Sequence, residues 1–322
     1  MRQDMRVYDS ILQALPGVDN PTPLVRINRL NPTPAFALYA KLEWMNPFGS
    51  VKDRAAARLV FDLVERGVLG GQRGVVEPTS GNTGISMAAL AGLLGFRMRA
   101  VVPARVPLEK KVLLRIAGAE LDVVSDALCP SPGLGEGSIA LAKTRARAEA
   151  ERYAMPNQYE NELNARAHYE TTGPEIWRQT GGKVTHLFVS LGTCGTATGC
   201  ARFLKERNPE VRVIAVQPNP GHDVPGLRNV AELEVSKLFE PALLDEILEV
   251  DCELAYRRVL DLARREGLLA GPSSGLILEG ARRVLERGGG GLGVMIFPDG
   301  IFKYVSAMVR HLPELAEGET PP

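Results

Sequence analysis

The sequence predicts an α/β protein built of two parallel-sheet-based three-layer domains. Segments with strand character alternate with helical segments along the chain, the order expected of parallel strands joined by crossover helices. A strand–glycine loop–helix pattern occurs in "GVVEPTSGNTGISMAALAGLLG" and again in "THLFVSLGTCGTATGCARFLKER". The length of 322 residues suits about two domains with ample core.

The elements follow in order. "AFALYAKLE" (35–43) is a strand. "VKDRAAARLVFDLVERGVL" (51–69) carries apolar residues at helical spacing and ends at Gly70-Gly71, a stop signal. Residues 74–95 read as strand, loop and a helix rich in small residues. "RMRAVVPA" is a strand, "PLEKKVLLRIAGA" a helix, "ELDVVS" a strand, and "GEGSIALAKTRARAEAERY" a helix. After the second glycine loop, "VRVIAVQP" and "GVMIFPDG" are strands. The chain passes from one α/β unit to another near residue 155. This gives a smaller mobile domain over 46–154 and a larger one from 1–45 with 155–322. "DALCPSPGLGEG" reads as a loop and "AEGETPP" as a frayed end.

Composition narrows the function classes. Hydrophobic content is 45%, and 38 basic residues balance 38 acidic ones, so no net charge draws the protein to nucleic acid or an anionic membrane. No apolar run is long enough to span a bilayer, and "MRQDMRVYDS" lacks the apolar core of a signal peptide. Cys129, Cys194, Cys200 and Cys252 form no C-x-x-C pair, and the four histidines show no metal-ligand spacing. No metal is expected, and a reducing cytoplasm is the simplest location.

"EWMNPFGSVKDRAAARL" places Lys52 between a turn and a helix in a chain where only nine of 38 basic residues are lysine. A solvated surface charge is the plain reading. The sharper one is a lysine used as an amine, which arginine cannot replace because it keeps its proton. Three loops stand where ligands of open parallel sheets bind, at strand carboxyl ends. Thr79-Ser80-Gly81-Asn82-Thr83-Gly84 offers hydroxyls and N–H groups at a helix start, suited to a carboxylate or phosphate and equally to plain capping. Gly192-Thr193-Cys194-Gly195-Thr196 lacks both a G-x-G-x-x-G and a Walker lysine, which suggests a held phosphate ester. Gly271-Pro272-Ser273-Ser274-Gly275 precedes a further helical run. Amine, carboxylate loop and phosphate loop together point to pyridoxal phosphate.

"NPFGSVKDR", "EPTSGNTG", "SLGTCGT" and "GPSSG", in this order, resemble the cysteine synthase family, of the tryptophan-synthase-β-like fold (fold type II of the pyridoxal-phosphate enzymes). The likeness runs from "PTPLVRINRL" to "FPDGIFKY". It implies that Lys52 is the Schiff-base lysine and general base, and that Asn82 bonds the cofactor's phenolic oxygen. It implies that Gly192, Thr193, Cys194, Gly195 and Thr196 hold the phosphate, with Cys194 where glycine is frequent, and that Ser273 faces the pyridine nitrogen. Thr79, Ser80, Gly81, Thr83 and Gln158 would form the substrate carboxylate pocket. A neutral serine at the ring nitrogen favours loss of a β-leaving group over transamination. The resemblance thus implies β-replacement, cysteine formed from an activated serine and a sulfur donor, by a homodimer.

Arg228, in "GLRN", resembles the arginine of phosphoserine-using sulfhydrylases. It would give a dianion a two-pronged partner, and O-phosphoserine is the expected substrate. In a chain of 29 arginines a surface role is the competing reading. Acetylserine-dependent synthesis, cystathionine- or diaminopropionate-type synthesis, and a non-catalytic regulatory protein are the alternatives. His222 and Asp223 have no assigned role.

Overall fold

The computed structural model describes residues 7–125, 137–231 and 236–317. Strands β1 (Leu24–Arg26), β2 (Phe36–Leu42), β7 (His186–Ser190), β8 (Arg212–Pro218), β9 (Glu246–Val250) and β10 (Gly291–Phe297) form one sheet in the order β1-β2-β10-β7-β8-β9. Strands β3 (Gly74–Pro78), β4 (Met98–Pro103), β5 (Glu120–Val124) and β6 (Tyr153–Ala154) form a second, ordered β5-β4-β3-β6. Pairing is parallel throughout except at β1, which runs antiparallel along β2. Central strands β3 and β8 are buried along nearly their whole length, which only covering on both faces allows.

Helices supply that cover. α1 (Lys52–Glu65), α2 (Asn82–Leu94) and α3 (Leu108–Ile116) pack on the four-stranded sheet, where Leu59 and Val60 meet Val75, Met87, Leu90 and Leu114. α4 (Gly137–Ala148) covers the opposite face through Ala142. On the six-stranded sheet, α5 (Leu163–Ala167), α6 (Gly173–Gln179) and α7 (Gly195–Arg207) lie to one side. α8 (Cys252–Asp261) and α9 (Pro272–Leu285) lie to the other, and α10 (Val305–His311) closes the described chain.

The expected strands and helices are present, with two shifts. α1 stops at Glu65 rather than at Gly70-Gly71, because Gly67 adopts φ +67° and Val68 N–H returns to Leu63 O, a left-handed helix stop. α9 starts at Pro272, so Ser273–Gly275 form its first turn rather than a loop. Elements β1, β6, β9, α5, α6, α8 and α10 were not anticipated. β1 and β6 are two or three residues long, and β9 is an edge strand with alternating exposure. The loop expected over 126–136, with Cys129, and the tail from 318 lie outside the described residues.

Four fully or nearly buried charges tie the two sheets together. Arg54 Nε and Nη1 meet Glu43 and Glu175 at 2.7 and 2.5 Å, and Lys41 Nζ meets Glu175 at 2.7 Å. Thr22, Asn46 and Gln179 complete their hydrogen bonds. Burial alone would raise the Glu43 carboxyl, but Arg54 and Lys41 bring it down to about 2. Two cations face two anions, so the cluster is neutral. Removing one member strands a buried charge, which costs about 3–5 kcal/mol. Arg54→Met is therefore expected to lower stability by that amount in urea unfolding. Arg58→Met, whose guanidinium faces Glu170 at 3.7 Å near the surface, should lose less than about 1 kcal/mol. Equal losses would contradict the assignment.

Candidate active site

Lys52 is set in place by its neighbours. Asp53 caps the preceding turn, accepting from Phe48 N–H at 2.7 Å and from Ser86 Oγ at 2.6 Å. Ser50 Oγ accepts from Lys52 N–H. Val51 N–H bonds Pro298 O, fastening this turn to the end of β10. Lys52 Nζ has no hydrogen-bond or ion-pair partner among the described residues. Burial lowers its pKa, with Asp299, Cys194 and Glu43 opposing more weakly. A buried amine that gives up its proton readily is a nucleophile and a base.

Lys52 opens into a cavity of about 630 Å³. Of the third loop only Ser273 reaches its wall, and of the residues to which the resemblance gave a cofactor or substrate role all but Gly81 and Gly195 do. Those two act from behind. Gly81 has φ +125° and a Cβ there would meet the Lys110 stem at 2.5 Å, while a Cβ on Gly195 would lie 2.1 Å from Asn164 Oδ1. At the head of α2, Thr79 Oγ1 accepts from the N–H groups of Gly81 and Gly84. Thr83 Oγ1 donates to Gln158 Oε1 at 2.6 Å, and Gln158 Nε2 donates to Pro78 O. The Gln158 side chain also bonds the buried Glu77 carboxylate, so its amide is engaged in building the loop.

The second loop follows β7. Cys194 has φ +65°, a left-handed backbone that side chains disfavour and that accounts for glycine at such a position. The N–H groups of Gly195, Thr196 and Ala197 in the first turn of α7 find no acceptor among the described residues. Gly192 abuts Gly226, where a Cβ would come within 2.7 Å of the carbonyl, and Arg228 N–H bonds Leu191 O at 2.9 Å. The "GLRN" segment therefore lies directly on this loop. The Arg228 guanidinium sits over the Tyr159 ring, 5.3 Å from its centroid, and lines the cavity. Unsatisfied helix-terminal donors beside a buried amine fit a compact molecule carrying one phosphate and one amine-reactive carbonyl.

The sequence did not single out Asp299, Tyr304 or Lys110, all of which line the cavity. Asp299 is 1% exposed, and its backbone C=O accepts from Gly271 N–H. "FPDGIFKY" held the signal, a carboxylate at a strand carboxyl end. His222 and Asp223 also reach the cavity. His222 Nδ1 accepts from Val224 N–H, and Asp223 pairs with Arg310 at 2.5 Å and His311 at 3.2 Å, pinning its loop to α10.

His168 lies under the second loop, fully buried, within 3.2 Å of Thr196 Oγ1 and 2.9 Å of Thr172 Oγ1. Burial, with Arg54 and Lys52 nearby, pushes its pKa down to about 3. The unfolded chain takes up this proton near pH 6.5 and the folded one does not. Its stabilising contribution is full above pH 6.5 and is lost as pH falls toward about 3. In the ligand-free protein, His168→Gln is expected to flatten the pH dependence of unfolding across that window. An unchanged slope would show that His168 is not held neutral.

Comparison with known proteins accords with this geometry. Residues 16–299 match the family described as pyridoxal-phosphate dependent enzyme. Cysteine synthase B of Salmonella typhimurium is 39% identical over 289 residues, covering 89% of this chain and 93% of the relative. The crystal structure of O-ureido-L-serine synthase superposes with a TM-score of 0.87 at 30% identity, covering 98% of each chain. That of cysteine synthase (OASS) from Entamoeba histolytica gives 0.83 at 26% identity, covering 99% of this chain and 98% of that one. The chain belongs to the family of pyridoxal-phosphate-dependent enzymes.

Proposed function

We propose that this enzyme forms L-cysteine by β-replacement, from O-phospho-L-serine and a sulfur donor. Pyridoxal phosphate supplies an electron sink for charge at the substrate α-carbon. Lys52 would hold it covalently and would take the substrate α-proton at Nζ. Depression of its pKa by burial supports both roles, since each needs the neutral amine. Gly192 to Thr196, at the head of α7, would hold the cofactor phosphate. Ser273, in the first turn of α9, would meet the ring nitrogen as a neutral hydroxyl. Thr79, Ser80, Gly81 and Thr83 would receive the substrate carboxylate, on a loop that Gln158 braces through Thr83 and Pro78.

The observation carrying the choice of substrate is Arg228, a guanidinium on the wall of the Lys52 cavity, its backbone bonded to the residue before the phosphate loop. A leaving phosphate is dianionic near neutral pH, with a second pKa of about 6. Arg228 neutralises it and steadies it as it departs. The unit over 46–154 is proposed to close on the rest when substrate binds, because the carboxylate loop belongs to that unit and the phosphate loop to the other, so a ligand bridging both favours the closed state.

Arg228→Ala, assayed with both activated serines, tests the reading. Losing one or two charge-assisted bonds of about 1.5–3 kcal/mol each predicts a fall in kcat/KM for phosphoserine of roughly one to four decades. Acetylserine turnover should stay near wild type. Equal losses on both substrates would make Arg228 structural and move acetylserine to first place.

A further inference from the structure

The Asn82 carboxamide is held from both ends. Its Nδ2 donates to Asp299 Oδ2 at 2.6 Å, and its Oδ1 accepts from Lys303 Nζ at 3.3 Å. An ammonium only donates and a carboxylate only accepts, so the amide has one permitted orientation. Asp299 Oδ2 also accepts the Tyr304 hydroxyl at 2.5 Å, and that hydroxyl oxygen accepts from Lys110 Nζ at 2.8 Å. Burial holds the Tyr304 pKa well above its usual value, so the hydroxyl remains a donor. The donors therefore run one way, from Lys110 to Tyr304 to Asp299, where Asn82 joins them. The Asn82 amide also bonds the Tyr304 hydroxyl, and the side chain lines the cavity.

The chain spans both halves of the molecule. Lys110 belongs to α3 on the four-stranded sheet, and its stem lies against Gly81 beside Asn82. Its neighbour Glu109 accepts from Ser306 N–H at 2.6 Å and from Ser306 Oγ at 2.8 Å. Two consecutive residues of α3 thus dock on the segment that follows β10.

We propose that Asp299, Tyr304 and Lys110 are positioning residues that fix the Asn82 carboxamide where it would meet the cofactor's ring oxygen. The proposal rests on the reading that the cavity holds pyridoxal phosphate. A donated N–H favours the ionised form of that oxygen. Loosening the amide therefore raises the pH at which the oxygen takes up a proton, and docking of α3 is felt at Asn82 through Lys110.

The test uses Asn82→Ala, Tyr304→Phe, Lys110→Met, Lys110→Arg and the Asn82→Ala/Tyr304→Phe double variant. Three quantities are measured: cofactor affinity by fluorescence titration, the pH midpoint of the bound cofactor's visible band, and the melting temperature of the cofactor-free protein. Tyr304→Phe and Lys110→Met are expected to weaken cofactor binding roughly 3- to 10-fold and to raise the midpoint, with melting little changed. Lys110→Arg, which still donates, should restore both. The double variant should be no worse than Asn82→Ala within about twofold. The proposal is overturned if Tyr304→Phe leaves affinity and midpoint at wild type while Asn82→Ala moves them, or if the two losses add in full. If Asn82→Ala itself moves neither, the cofactor reading of Asn82 falls, and the proposal falls with it.

Discussion

The site depends on the neutral cluster of Lys41, Glu43, Arg54 and Glu175. Arg54 is two residues beyond Lys52, and its guanidinium reaches carboxylates on two other elements. Desolvating these groups is expensive, and only their mutual pairing makes it tolerable. The cluster consequently admits one placement of the α1 head. That placement puts Lys52 where burial weakens its hold on a proton, while the Asp299 carboxylate is occupied with Asn82 and Tyr304. A lysine on a looser helix start would find solvent or a counter-ion and would remain an ordinary ammonium.

A second constraint is the segment after β10. Pro298 O takes the Val51 N–H, Asp299 O takes the Gly271 N–H, and the Asp299 carboxylate takes Asn82. Three separately folded loops are thereby fastened to one stretch of backbone. Gly271 permits this closeness, since a Cβ there would lie 2.4 Å from Asp299 Oδ1. The loops can be positioned together because they share one anchor.

What the sequence disclosed divides along a physical line. Alternating strands and helices, and the glycine loops at helix starts, are local patterns set by backbone geometry, and they were readable. Lys52 stood out because an amine is rare in this chain, and the loop of Gly192 to Thr196 because N–H groups and hydroxyls converge at a helix start. Asp299 and Tyr304 were missed because their meaning lies in partners 217 and 194 residues away. Arg54 looked like one arginine among many, since nothing local says that it faces Glu175. Gln158 was legible as a pocket residue, but the engagement of its amide with Thr83 and Pro78 was not. The early stop of α1 turned on Gly67, which the stronger Gly70-Gly71 pair concealed.

The central claim is that burial makes Lys52 the amine that holds the cofactor. Lys110 lines the same cavity, and burial brings its pKa down to about 8, so it is the natural competitor. Reducing the cofactor-loaded enzyme with borohydride, digesting it and mapping the labelled peptide by mass spectrometry decides between them. The account predicts a single label in the peptide containing Lys52, and none in Lys52→Ala. Label on Lys110 in the wild-type enzyme would contradict it.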